Sequence, residues 1–121
     1  MCIRDSIEDL PFFKAGDNTI LTEVFHPKND AVDLPYSLAY AKIEAKQKSL
    51  KHVLKNEELY IFIKGHGTIH INGKSNIVQQ GSVVLVPKGK EQYVENSCDE
   101  TLCFYCIVSP PWSEDQEEIL K

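Results

Sequence analysis

Two segments with apolar strand cores decide the fold. They are His52-Val-Leu-Lys-Asn-Glu-Glu-Leu-Tyr-Ile-Phe-Ile-Lys-Gly65 and Gly81-Ser-Val-Val-Leu-Val-Pro-Lys-Gly-Lys-Glu-Gln-Tyr-Val-Glu-Asn96. Asn72-Gly73 lies between them and favours a type I′ hairpin turn, because both central residues of that turn need a positive φ. The strand cores 59–63 and 83–86 are apolar at every position, so both of their faces need cover. These features predict an antiparallel β-barrel or sandwich.

Both segments resemble the two sequence motifs of the cupin superfamily, in particular its small single-domain members. The first cupin motif reads His-x-His, three or four residues, Glu, six residues, Gly, and it is matched here by His52, Glu58 and Gly65. The second motif reads Gly, five residues, Pro-x-Gly, two residues, His, three residues, Asn. It is matched by Gly81, Pro87, Gly89 and Asn96.

The departures from the two motifs fall mainly on the positions that bind metal in the family. Leu54 stands where the second histidine of the first motif is expected, and Gln92 replaces the histidine of the second motif. Lys46 occupies the position of the glycine that opens the first motif. The motifs therefore indicate the fold more strongly than they indicate the family's usual metal chemistry.

The resemblance implies an all-β chain, an antiparallel jelly-roll β-barrel, formed as one domain over residues 7–121. Residues 1–6 look unrelated to the rest of the chain and are treated as a candidate non-native leader. Near the other end, Ser113-Glu-Asp-Gln116 fits a capping box and predicts a short C-terminal helix to about Leu120.

The resemblance also places a site inside the barrel, with His52, Glu58 and Gln92 as candidate metal ligands. One imidazole, one carboxylate and one amide oxygen suit a divalent metal such as Mn, Fe, Ni or Zn. The alternative is a metal-free polar network for a small ligand, in which Glu58 or His52 transfers a proton. Strand parity adds three pocket-lining candidates: Leu54, Tyr60 and Cys106.

Composition excludes several classes of partner. The net charge is -5 and no basic cluster is present, which argues against nucleic acid. No apolar run approaches the ~20 residues of a membrane span, and no secretory signal is recognisable, so we expect a cytoplasmic protein. Four unevenly spaced cysteines do not form a disulfide framework, and Cys103 and Cys106 should point to opposite faces of one strand.

Three functions remain open at this point. The chain can be a metal-dependent enzyme such as an isomerase, lyase or dioxygenase, a non-catalytic protein that binds a small polar molecule, or a structural barrel with a decayed site. The two-faced apolar strands 59–63 and 83–86, with the small face of Ala39 and Ala41, also predict a homodimer joined by sheet faces. In the alternative, the segment before Asp33 covers those faces within one chain.

Overall fold

A computed structural model describes residues 3–120 and shows an all-β chain. The eleven strands in this range, β1 to β11, are Phe13–Lys14, Ile20–Phe25, Ser37–Ile43, His52–Leu54, Glu57–Lys64, His66–Ile71, Lys74–Gln79, Val83–Val86, Glu91–Glu95, Leu102–Ser109 and Glu117–Ile119. Ile7–Asp9 and Glu114–Gln116 form single 3-10 turns. None of the helical segments in the described range is long and apolar enough to cross a bilayer.

The strands form two antiparallel sheets whose order fits a jelly roll. One sheet has the order β1-β2-β3-β10-β5-β8, and the other has the order β11-β4-β9-β6-β7. Within residues 3–120 the hydrogen-bonded pairs stay in these two sheets, so the jelly roll consists of two facing sheets and the hydrogen-bond ladder does not close around it. The edge strands β1 and β11 have two and three residues, so they are too short to continue the ladder from one sheet to the other.

The inner faces of the two sheets bury the main core. Alternate residues of β5 and β10 point inward, and the rings of Tyr60, Phe62 and Phe104 pack with centroids 5.2–5.8 Å apart. The buried members of this core are Ala41, Ile43, Tyr60, Phe62, Ile69, Val78, Val86, Val94, Leu102, Phe104 and Cys106. Packing is tight at the Phe62 end, while the other end of the same layer encloses a cavity.

A second apolar cluster covers part of the outer face of the six-stranded sheet. Ile7, Leu10 and Phe12 of the N-terminal segment pack against a buried group that includes Tyr40 and Cys103. Cys103 thus belongs to the outer cluster while Cys106 belongs to the inner core. The prediction that the two thiols lie on opposite faces of the strand is confirmed.

The suggested leader, residues 1–6, lies partly outside the described residues. In its described part, Arg4 donates a hydrogen bond from Nε to the carbonyl of Val24 at 3.0 Å and forms an ion pair with Asp30. Its guanidinium also lies 4.5 Å from the ring centroid of Phe25. Arg4 is therefore tied to the end of β2.

The predicted C-terminal helix is wrong. Beyond the 3-10 turn, Glu117–Ile119 is a strand that pairs with His52–Leu54. The Ser113 hydroxyl donates to the Asp115 carboxylate at 2.6 Å and makes no capping bond to a backbone amide. An isolated helix this short is marginal in water, whereas the exposed edge of β4 offers unpaired backbone groups, so pairing with that edge wins.

Two turns show why residue type matters at particular positions. Asn72 and Gly73 have φ of 49° and 80° between β6 and β7, so the predicted hairpin is confirmed. Lys46 has a φ of 64° in the turn that the Gln47 amide closes onto the Glu44 carbonyl. This is the position at which the cupin motif has glycine, the residue that adopts a positive φ without steric cost.

We expect Lys46→Gly to leave the free energy of unfolding unchanged or to raise it by up to about 1 kcal/mol. The left-handed conformation costs a non-glycine residue about 1–2 kcal/mol, which offsets the ~0.5–1 kcal/mol that glycine loses in backbone entropy. Urea unfolding measures the change. The control is Lys64→Gly at the exposed end of β5, which should lose about 1 kcal/mol. An equal loss in both variants would contradict this explanation of the turn.

Candidate metal centre and pocket

A cavity of about 130 Å³ lies between the sheets, at the end of the core where β1 and β11 leave them apart. Its wall is mostly apolar, with Leu21, Ala39, Ala41, Leu54, Val94, Phe104 and Val108 contributing side chains. Phe13 and Trp112 belong to the two chain-terminal segments that complete it. A concave, largely apolar site with a few polar groups is the usual form of a small-molecule pocket.

Three side chains that can bind a metal converge on this cavity. Asp17 comes from the loop between β1 and β2, His52 from β4 and Glu117 from β11, and one ligand-type atom of each lies within 4.8 Å of the others. His52 is buried, while Asp17 and Glu117 are partly buried. The cluster therefore joins three segments that are far apart in sequence.

The backbone of Leu50 links two of these residues. Its carbonyl oxygen lies 2.9 Å from Nδ1 of His52, and its amide donates to the backbone carbonyl of Asp17 at 2.7 Å. A carbonyl can only accept a hydrogen bond, so Nδ1 carries a proton, and in the neutral imidazole Nε2 keeps its lone pair. A hydrogen bond of this kind fixes the tautomer and the orientation of a metal-binding histidine.

Asp17 is held by the turn that contains it. Its Oδ1 accepts hydrogen bonds from the amide and the hydroxyl of Thr19, at 3.2 and 2.7 Å. Asn18 has a φ of 73°, a conformation that asparagine tolerates better than most residues. The loop thus presents the carboxylate to the cavity while its local polar groups are satisfied.

Glu117 is positioned by the register of β11 on β4. It lies opposite Leu54, which shares a strand face with His52, so both ligand-type side chains point to the same side. Burial raises the pKa of Glu117, and the nearby carboxylate of Asp17 raises it further. His52 and a hydrogen bond from the Trp112 side chain lower it by a smaller amount. Two neighbouring carboxylates repel each other, and a cation between them would relieve that repulsion.

Buried polar contacts fix the segment that carries Trp112 and Glu117. The Trp112 carbonyl lies 2.7 Å from Nε2 of buried His26, and its amide donates to the Ser37 hydroxyl at 2.9 Å. The Asn56 side chain donates to the Pro110 carbonyl at 2.7 Å and to Oε1 of Gln116 at 2.8 Å. These bonds tie the C-terminal segment to β3, to the end of β2 and to the connection between β4 and β5.

A second polar group, deeper in the core, contains Glu58, Gln92 and Tyr60. Nε2 of Gln92 donates to Oε1 of Glu58 at 3.0 Å, and the Tyr60 hydroxyl donates to Oε1 of Gln92 at 2.5 Å. Both ends of the Gln92 amide are therefore engaged. Burial raises the pKa of Glu58 to about 7, against the opposing effects of His52, the Cys106 thiol and Gln92.

Tyr60 and Cys106 are both kept neutral at this site. Burial raises the pKa of each well above its usual value, and the carboxylate of Glu58 contributes to both shifts. Cys106 is therefore a thiol that contacts Glu58, and it lacks the thiolate character of a nucleophile. Leu54, Tyr60 and Cys106 line the cavity together with His52 and Glu58.

The structure groups the sequence-predicted residues differently from the motif. It joins Glu58 to Gln92 directly and brings His52 together with Asp17 and Glu117. The assignment of His52, Glu58 and Gln92 as one metal shell stays a prediction. Sequence reasoning did not identify Asp17 or Glu117 as site residues, and it had placed Glu117 in a helix.

Comparison with known proteins agrees with this architecture. Residues 39–108 match the family model described as "Cupin domain", which covers more than half of the chain. The chain belongs to the cupin family. The match includes His52, whereas Asp17 and Glu117 lie in flanking segments outside it.

Three proteins illustrate what this cupin is similar to. An uncharacterised protein of Methanocaldococcus jannaschii is 29% identical over 120 residues, covering 98% of this chain and 95% of the other. Oxalate decarboxylase of Lactobacillus farciminis, solved as a formate complex, superposes with a TM-score of 0.80 at 21% identity, over 94% of this chain and 34% of that one. The polyketide cyclase RemF of Streptomyces resistomycificus gives 0.79 at 17% identity, over 96% and 90%. At these identities the two structures show a shared fold.

The pKa of Glu58 leads to a prediction about stability. In metal-free protein the folded state holds a proton on Glu58 between pH 4.5 and about 7, where the unfolded chain has released it. The contribution to the free energy of unfolding is thus fully present below pH 4.5 and is lost as the pH rises through about 7. The difference corresponds to at most about 3 kcal/mol.

Glu58→Gln should abolish this loss, because the amide does not titrate and still accepts the Gln92 hydrogen bond. Urea unfolding over a pH series in the presence of chelator measures it. Glu57→Gln, at the exposed neighbouring position, is the control and should follow the wild type. Parallel pH curves for wild type and Glu58→Gln would contradict the buried, proton-holding carboxyl group.

Proposed function

We propose that this cupin binds a divalent metal at Asp17, His52 and Glu117, beside a cavity that holds a small molecule. The observation that carries the proposal is the convergence of these three side chains within 4.8 Å at the cavity wall. Two ligand atoms on one metal lie at most about 4.4 Å apart at bond lengths of ~2.0–2.2 Å. A small inward shift of the side chains therefore satisfies one ion.

The chemistry of the donor set fits a metal. His52 offers Nε2 because Leu50 engages Nδ1, and the other two donors are carboxylates. One imidazole and two carboxylates suit Mn, Fe or Zn. Three protein ligands also leave coordination positions for water or a ligand. When bound, the metal would supply a Lewis acid, and the neighbouring wall would orient the molecule that meets it.

A different ligand set, His52 with Glu58 and Gln92, is the arrangement that the cupin motif suggests. It requires the Gln92 oxygen, which here accepts the Tyr60 hydroxyl proton. A metal at that position would have to displace this hydrogen bond. The set with Asp17 and Glu117 has no such requirement, and it is the one we propose.

The second candidate is a metal-free cupin that binds or senses a small molecule without turnover. The observation in its favour is that Glu58 is compensated within the chain, by Gln92 and Cys106. The fold is shared with both a decarboxylase and a cyclase, and function resides in the site rather than in the fold.

Metal titration separates the two ligand sets. Calorimetry with Mn²⁺ and Zn²⁺ should show that Asp17→Asn and Glu117→Gln each weaken binding by roughly tenfold or more. Glu58→Gln should change it far less. Leu54→His, which lies opposite Glu117 in the β4–β11 pair, adds an imidazole beside the centre and should tighten binding.

The control for this titration is Glu118→Gln, on the exposed face of β11 next to Glu117. His52→Ala weakens binding under either ligand set and so tests only that a centre exists. Loss of affinity in Glu58→Gln with unchanged affinity in Asp17→Asn would favour the motif set. Wild-type protein that binds neither ion would contradict both ligand sets and favour the metal-free candidate.

We also propose that the chain forms a homodimer through the outer face of β5 and β8. The N-terminal segment covers the region around Tyr40, but Val83 and Leu85 of β8 remain 60% and 56% exposed. They lie opposite Ile61 and Leu59 in register, which makes one continuous apolar area at the sheet edge. An exposed apolar surface of this kind on a small chain favours an interface with a second copy of the chain.

Light scattering tests the dimer at tens of micromolar protein. The wild type should have the mass of two chains, and Leu85→Lys should shift it to one, because the charge would be buried at the interface. Ile77→Lys is the matched control, since Ile77 is 83% exposed on β7 of the other sheet and should leave the mass unchanged. A monomeric wild type would contradict the proposal.

The cytoplasm is the compartment we propose. Within residues 3–120, Cys98, Cys103 and Cys106 form no disulfide. Unpaired thiols are typical of proteins from reducing compartments.

A further inference from the structure

The charge of the cavity wall limits what the pocket accepts. Four carboxyl groups line it, belonging to Asp17, Glu23, Glu58 and Glu117. In the described part of the chain no lysine or arginine lines it. A carboxylate ligand would therefore enter an apolar, partly enclosed space in which the wall's charged groups repel it.

The donors of the wall are also largely committed. The Tyr60 hydroxyl donates to Gln92, the Thr19 hydroxyl donates to Asp17, and the Cys106 thiol contacts Glu58. These groups serve acceptors of the protein itself. An anion needs donors to replace its hydration, whereas an ammonium group brings its own donors to acceptors that are already present.

The charge balance applies to the metal-free protein. A metal at the proposed centre would cancel the charges of Asp17 and Glu117 and would offer coordination positions to a carboxylate. The preference for cations over anions is therefore a property of the pocket without metal.

The volume of the cavity and its apolar side chains specify the size and the apolar part of the ligand. A cavity of about 130 Å³ is close to the ~150 Å³ that admits benzene in an engineered protein core. Aliphatic side chains such as Leu21, Leu54 and Val108 supply an apolar surface. Phe13 and Trp112 add aromatic rings, which attract cations through their π faces.

We propose that the ligand of this pocket is a small apolar molecule that carries an amine, and that the pocket discriminates against carboxylates. This inference rests on the proposed function only in that the cavity binds a small molecule. It does not require the metal centre.

The chain provides its own reporter, because its single tryptophan is Trp112 of the cavity wall. Isobutylamine, isobutanol and isovalerate share one branched alkyl group and differ in charge. Titrated into chelator-treated protein at neutral pH and followed by Trp112 fluorescence, isobutylamine should bind at least tenfold more tightly than isovalerate, with isobutanol between them.

Two variants locate the preference. Asp17→Asn and Glu117→Gln each remove one carboxylate from the wall, so each should weaken isobutylamine binding by roughly tenfold and reduce its advantage over isovalerate. Glu118→Gln, outside the cavity, should match the wild type. Circular dichroism checks that each variant is folded, and either one of the two suffices for the test.

Tighter binding of isovalerate than of isobutylamine overturns the proposal, as does wild-type protein whose Trp112 fluorescence responds to none of the three compounds. An amine preference unchanged in both cavity variants also overturns it. Wild-type protein that binds isobutylamine but no Mn²⁺ supports this inference and contradicts only the metal centre.

Discussion

The pairing of β11 with β4 is the interaction on which the site depends. It places Glu117 opposite Leu54 and beside His52, and it closes the edge of the five-stranded sheet. Without it, the cavity would lack the Glu117 carboxyl group, and the backbone of His52–Leu54 would have an unpaired edge. A three-residue strand thus connects the stability of the sheet to the chemistry of the pocket.

Burial of ionisable groups between two apolar sheets sets the electrostatics. The pKa of Glu58 is raised to about 7 because desolvation outweighs the favourable contacts of this carboxyl group. The pKa of Glu117 moves in the same direction, with Asp17 as a like-charged neighbour. Such groups are stable in an interior only when a proton, a donor or a cation compensates them. The proposed metal and the proposed amine both meet that requirement at one wall.

Much of the fold could be predicted from the sequence, because its signals are local. Asn72-Gly73 specified a turn, and the spaced motif residues from His52 to Asn96 specified two sheets that face each other. Gly65 shows why such spacing is specific: it has a φ of 88°, and a Cβ there would lie 2.9 Å from the Thr101 carbonyl. The C-terminal strand could not be predicted, because Ser113–Gln116 imitates a helix start and its pairing partner lies more than fifty residues away.

Only part of the candidate site could be predicted from the sequence, because the rest depends on contacts between segments that are distant in the chain. His52 and Glu58 stand in the motif, whereas Asp17 and Glu117 reach His52 only through tertiary pairing and lie outside the matched family region. In our proposal the cupin core supplies one histidine, and the flanking segments would supply the other two metal ligands. Anomalous diffraction from crystals of the Mn²⁺-loaded protein tests that claim most directly. We predict a single peak within bonding distance of Asp17, His52 and Glu117. A peak bonded to Glu58 and Gln92, or none in the cavity, would contradict it.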